Sequence, residues 1–130
     1  MPLNIPLRVR NLVRRYATTD PYRIAKDMRC EVMLAPLPDH INGMWRRILR
    51  RKYIFINDRL EEWQQTAVLC HELGHILMHP GYCAYSLHNI SYSRTRYEDE
   101  ADAFAARLMA YRYDESEIYV GRFLSESWIK

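Results

Sequence analysis

At 130 residues, with 48% hydrophobic and 27% charged positions, the chain is long enough to bury one core and lacks the bias of disordered, collagen-like or repetitive sequences. No run approaches the ~18 apolar residues of a membrane span, and arginines at 8, 10, 14 and 15 break up the apolar stretch a signal peptide would need. The net charge of +3 hides an asymmetry: residues 1–52 carry 12 Lys/Arg and 4 Asp/Glu, residues 53–130 carry 7 and 12.

The basic half reads as a solvated surface offsetting the acidic half, so no direct nucleic-acid partner is expected. Its densest cluster, Arg46, Arg47, Arg50, Arg51 and Lys52, is interrupted by Ile48 and Leu49 in the manner of strand and turn. Cys30, Cys70 and Cys83 form an odd, widely spaced set that reads as free thiols of a reducing compartment. A single cytoplasmic domain over residues 1–130 is expected.

Val9, Leu12, Val13 and Tyr16 recur at helical spacing and predict a first helix over 6–16. Asp20 is a candidate N-cap, with Pro21 at the first position of a short second helix whose apolar stripe is Ile24, Ala25 and Met28. Strands are predicted over 30–34, 41–47 and 52–57, the last (KYIFIN) being the clearest. Asn57 and Asp58 are candidate caps for a long helix with Leu60, Trp63, Ala67, Cys70, Gly74 and Leu77 along one side, stopped by His79-Pro80-Gly81. Residues 82–95 read as a loop, Glu98–Met109 as a helix with Ala101, Phe104, Ala105 and Leu108 inward, and 114–123 as a last short helix. Strands followed by helices indicate an α+β domain.

The main chemical signal is His71-Glu72-Leu73-Gly74-His75. Two histidines four apart on a helix share a face, so both imidazoles reach one metal, and the glutamate between them can take a proton from water beside it. So short a pattern also arises by chance. Here it sits on a predicted helix that follows a strand, and Gly74 leaves room for another element to approach.

A third ligand is required. The HExxHxxGxxH pattern is excluded because Met78 and Gly81 occupy its last two positions. The alternative is a glutamate on a later helix, supplied by Glu98, with Asp102 one turn on to accept a hydrogen bond from a ligand imidazole. Glu100 projects about 200 degrees from Glu98 on an ideal helix, so only one of the two can face the metal; Glu98 is preferred. Taken alone, this acidic stretch would read as complementing a helix dipole. Cys70 reads as a small buried residue. His79 lies roughly 12 Å along the helix axis from His71, too far to share its metal, and reads as a C-terminal cap. His88 or one of Tyr82, Tyr85, Tyr92 and Tyr97 is a candidate to polarise a substrate carbonyl.

The chain resembles the ImmA/IrrE family of metallopeptidases. DPYRIAKDM is similar to that family's second helix, INGMW to its glycine-bearing strand and YIFIN to the strand before its active-site helix; HELGHILMH and EDEADAFAARLM are similar to its two metal-bearing segments. The resemblance covers residues 5–110. One departure is Ala110-Tyr111, where the family often places a proline, and the tail from 111 does not align.

The resemblance implies a zincin-like, gluzincin-type fold with a short, mostly antiparallel sheet. It implies zinc held by His71, His75 and Glu98, with Glu72 as general base. Many such proteins come from phages and mobile elements and cleave a helix-turn-helix repressor, so a repressor is the expected partner. By analogy with zincins, an extended substrate would pair with a sheet edge at 52–57. Two rival functions remain: an antirepressor that displaces its partner without cutting it, and a nucleic-acid-binding module using the basic half.

Overall fold

The computed structural model describes residues 3–81 and 96–111. The elements are helices α1 (Ile5–Tyr16) and α2 (Pro21–Asp27), strands β1 (Cys30–Ala35), β2 (Gly43–Ile48) and β3 (Arg51–Asn57), and helices α3 (Glu62–Met78) and α4 (Arg96–Ala110). This is the expected α+β class. The loop expected at 82–95 and the helix expected at 114–123 lie outside the described residues. Among those described, no helix is long and apolar enough to cross a membrane.

Local chemistry starts both N-terminal helices. The Asn4 side chain accepts from the Leu7 N–H, and Asp20 Oδ1 accepts from the Tyr22 N–H at 2.9 Å with Pro21 next to it. Val9 and Leu12 of α1 are buried, and this helix packs on α4, while α2 packs on β1 and α3.

The sheet is mixed, in the order β1-β3-β2: β1 pairs parallel with β3 and β2 pairs antiparallel with it. This corrects the expectation of a mostly antiparallel sheet. The chain leaves β1, runs past the place of β3 to form β2 on the far side, and returns through a hairpin. The parallel neighbours thus gain the long connection that they need, with β2 inside it. It also corrects the expected docking edge, because residues 52–57 are the interior strand, hydrogen-bonded on both sides. The basic cluster lies on the β2–β3 hairpin, as strand and turn.

Asn57 does not cap α3. It is buried, and its Nδ2 lies 3.0, 3.2 and 2.9 Å from the carbonyl oxygens of Leu37, Pro38 and Ile41, tying the β1–β2 connection to the end of β3. The N-cap is Glu61, whose backbone N–H donates to Gln64 Oε1 at 2.9 Å in a capping box. Nor is α3 buried along one side alone: every residue from Thr66 to Ile76 is buried. It lies against β2, β3, α2 and α4, which makes it the central element of the core.

Gly43 lets β2 approach α3. A Cβ placed there would overlap Cγ1 of the fully buried Val68 and come 2.9 Å from the Phe55 carbonyl oxygen, a backbone atom of β3. Gly43→Ala is therefore expected to cost about 1–3 kcal/mol through overpacking. At Gly81 an added Cβ meets nothing within 4 Å, so Gly81→Ala should fall within about 0.5 kcal/mol of the parent. Urea denaturation of both variants checks this; equal midpoints would show that α3 does not rest on β2 in this way.

Candidate metal centre

Helix α3 presents His71, Glu72 and His75, with His79 at its C-cap, and α4 presents Glu98, Glu100 and Asp102. The two helices come together where Gly74 faces Phe104: a Cβ on Gly74 would lie 3.0–3.2 Å from the Phe104 side chain, which is itself fully buried. Ala101, Ala105 and Ala106 keep α4 slim along its buried side.

This approach brings three ligand atoms to one point. His71 Nε2 lies 3.0 Å and His75 Nε2 3.2 Å from Glu98 Oε1, and the two Nε2 atoms are 3.1 Å apart. The rings meet edge to face, with centroids 4.7 Å apart. His71, His75 and Glu98 can hold a metal ion. The donor set fits one well: two imidazole nitrogens and a carboxylate oxygen converge, and a tetrahedron with arms of 2.0–2.1 Å has edges of about 3.3 Å. His71 Nδ1 lies 2.8 Å from Asp102 Oδ1. Its proton therefore belongs on Nδ1, leaving the Nε2 lone pair for the metal.

In the metal-free chain these buried groups strongly perturb one another. Burial disfavours a charge on His71, but hydrogen bonds to Asp102 and Glu98 and the nearby Glu72 carboxylate outweigh it and raise its pKa to about 10. Burial lowers the pKa of His75 to about 4, with the neighbouring His71 adding to the effect. Burial alone would raise the pKa of Glu98, yet hydrogen bonds from both histidines hold it far below the usual carboxylate range. Glu72 is 3% exposed, and burial pushes its pKa up to about 7. Its Oε2 lies 4.0 Å from His71 Nε2, beside the ligand cluster.

Of the two candidate third ligands, Glu98 faces the histidines and Glu100 turns away from them. Glu100 Oε1 instead lies 2.7 Å from Nε2 of His79, whose Nδ1 is 3.2 Å from Nδ1 of His75. His79 caps α3, its backbone N–H donating to the His75 carbonyl at 2.7 Å. Its imidazole is nonetheless buried, a placement that the sequence reading missed. The one available signal was that 71, 75 and 79 share a helical stripe. Cys70 is buried, as expected. Of the candidate carbonyl-polarising residues, Tyr82, Tyr85, His88 and Tyr92 lie outside the described residues. The Tyr97 ring packs on His79, with centroids 4.5 Å apart.

Two predictions follow from this geometry. His71→Ala and His75→Ala should each abolish binding of one divalent ion. Glu98→Gln should weaken it, while Glu100→Gln leaves it nearly unchanged; metal content after dialysis measures all four. Binding should also release protons, because His71 is protonated at neutral pH and must lose its proton to ligate. At pH 7 about one proton should come from His71 and up to about half of another from Glu72, with none from His75 or Glu98. Calorimetry in buffers of different ionisation enthalpy reads this number. It should decline as pH rises past about 10, where His71 is already neutral.

The Peptidase_M78 family model, described as the IrrE N-terminal-like domain, matches residues 25–113. That span contains both α3 and α4. The chain is 34% identical over 106 residues to the "Uncharacterized immunity region protein 2" of Bacillus phage phi105, an alignment covering 81% of this chain and 67% of the phage protein. No solved structure matches it. The resemblance read from the motifs is borne out: the chain belongs to the Peptidase_M78 family of IrrE N-terminal-like domains.

Proposed function

We propose that the chain is a zinc-dependent endopeptidase, a single cytoplasmic domain of zincin-like, gluzincin-type architecture that cleaves a helix-turn-helix repressor. The observation that carries this reading is the convergence of His71 Nε2, His75 Nε2 and Glu98 Oε1 within 3.2 Å of one another, with the buried carboxylate of Glu72 beside them. Two nitrogens and one oxygen suit zinc and leave a coordination position open, as catalytic sites require. Membership of a peptidase family supports hydrolysis. The similarity to a phage immunity region protein supports a partner within phage immunity, and the ImmA/IrrE resemblance makes that partner a repressor.

When bound, zinc supplies Lewis-acid polarisation of the scissile carbonyl and makes a water more acidic. Glu72 accepts the proton of the attacking water as the new C–O bond forms at the carbonyl carbon. It then delivers that proton to the amide nitrogen as the C–N bond breaks, so the products are a carboxylate and an amine. Burial disfavours the charge on Glu72, which makes it a better proton acceptor than an exposed carboxylate. Asp102 holds the His71 ring in the orientation ligation demands. An extended substrate has to use an edge strand, and β2 is the edge that lies against α3.

Glu72→Gln separates cleavage from displacement. The variant should keep its metal and fold, and cleavage of a repressor encoded beside this gene should fall by at least ~100-fold. Chelation should abolish cleavage by the parent, and added zinc should restore it. Mass spectrometry reads the fragments. Release of the repressor from DNA by parent and variant alike, with no fragments, would make the protein a non-cleaving antirepressor.

A further inference from the structure

We propose that His79 and Glu100 form a positioning relay that orients His75, a role resting on the reading of His75 as a metal ligand. With His75 Nε2 committed to a metal, the distances order the remaining protons. His75 turns Nε2 toward Glu98 and His71, and ligation of a metal there leaves the proton of the neutral ring on Nδ1. That proton points at His79 Nδ1, 3.2 Å away, which must therefore be the acceptor. The proton of His79 is then on Nε2, where it donates to Glu100 Oε1 at 2.7 Å. The chain of bonds runs from the metal ligand through one imidazole to an acceptor oxygen of Glu100, which fixes the His79 tautomer and so the lone pair that holds His75 Nδ1–H.

The two ligand imidazoles thus have equivalent support from α4. His71 meets Asp102 directly at 2.8 Å, and His75 meets Glu100 through an inserted ring. Capping alone does not account for His79. The cap uses its backbone N–H, which any residue but proline supplies, and leaves the side chain uncommitted. Instead the residue is 6% exposed, with Tyr97 packed on its ring. Glu100 is held from the other side by Arg96, whose Nε is 3.9 Å from Oε2.

The test measures zinc affinity by chelator competition for the parent, His75→Ala, His79→Phe, Glu100→Leu and Glu100→Gln, together with the imidazole nitrogen and proton NMR signals of the zinc-loaded proteins. His79→Phe and Glu100→Leu should each weaken zinc binding by about 10–100-fold, and the double variant by no more than the worse single, whereas Glu100→Gln, which keeps an acceptor oxygen, should stay within about threefold of the parent. In the parent, His79 should show a protonated Nε2 and a bare Nδ1; in Glu100→Leu that preference should be lost. Glu100 is at the margin of the cluster, so Glu100→Leu remains informative even if His79→Phe does not fold. Parent-like affinity and an unchanged His79 tautomer in Glu100→Leu would overturn the relay. If His75→Ala also kept parent affinity, the metal assignment would fail with it; if His75→Ala alone lost zinc, only the relay would be wrong.

Discussion

The close approach of α3 and α4 sets everything at the metal centre, and it is set where Gly74 faces Phe104. Helix α3 puts no side chain there, so an added methyl would press within 3.0–3.2 Å of the buried Phe104 side chain of α4. Close to this contact, side chains from the two helices meet within hydrogen-bonding distance. His71 and His75 come from one helix and Glu98 and Asp102 from the other. The 2.8–3.2 Å separations among them result from backbone proximity more than from long, adaptable side chains. The ligand set is thereby built on two rigid elements, which suits a site that must hold its geometry without the metal.

That rigidity has an energetic consequence. His71, Glu72, His75, Glu98 and Asp102 are all at most 7% exposed. Burying so many ionisable groups is unfavourable unless each finds an opposite charge or a hydrogen bond. Hydrogen bonds among these groups answer part of this, and the carboxylates around His71 favour its protonated form. A divalent cation answers it better, replacing one positive charge by two at the same point. Binding energy at this site is therefore also folding energy. Removing one ligand leaves the others as uncompensated buried groups at the centre of the core, so loss of metal and loss of stability belong together here.

What was legible in the sequence was the local part. Asp20-Pro21 marked the start of α2, KYIFIN marked β3, and the spacing of Ala101, Phe104, Ala105 and Leu108 marked the buried face of α4. Glu98 was separable from Glu100 by helical angle alone. What stayed hidden depends on residues distant in the chain. The order β1-β3-β2 is decided by which strand edges meet, and alternation of apolar residues looks the same in parallel and antiparallel pairs. Asn57 resembled a helix cap because its true partners are carbonyls 16–20 residues earlier. The burial of α3 on every side stayed hidden too, because its apolar stripe marks one side only and the elements that cover the rest lie elsewhere in the chain.

The acidic stretch that opens α4 shows how much one helix can do by angle. Glu98 and Asp102 are four residues apart and share a face, so one reaches both imidazole Nε2 atoms while the other reaches the far nitrogen of His71. Glu100 lies between them in sequence but about 200 degrees around the axis from Glu98, which takes it off the ligand cluster and toward the C-terminal end of α3. Standing there is His79, in the residue that ends the helix, with a backbone φ of −133° that departs from helical values. Because α3 stops at that residue, its imidazole can fold back behind His75 and still reach Glu100. The end of one helix and the start of the next thus close the site from behind, and each acidic side chain has a different nitrogen to hold.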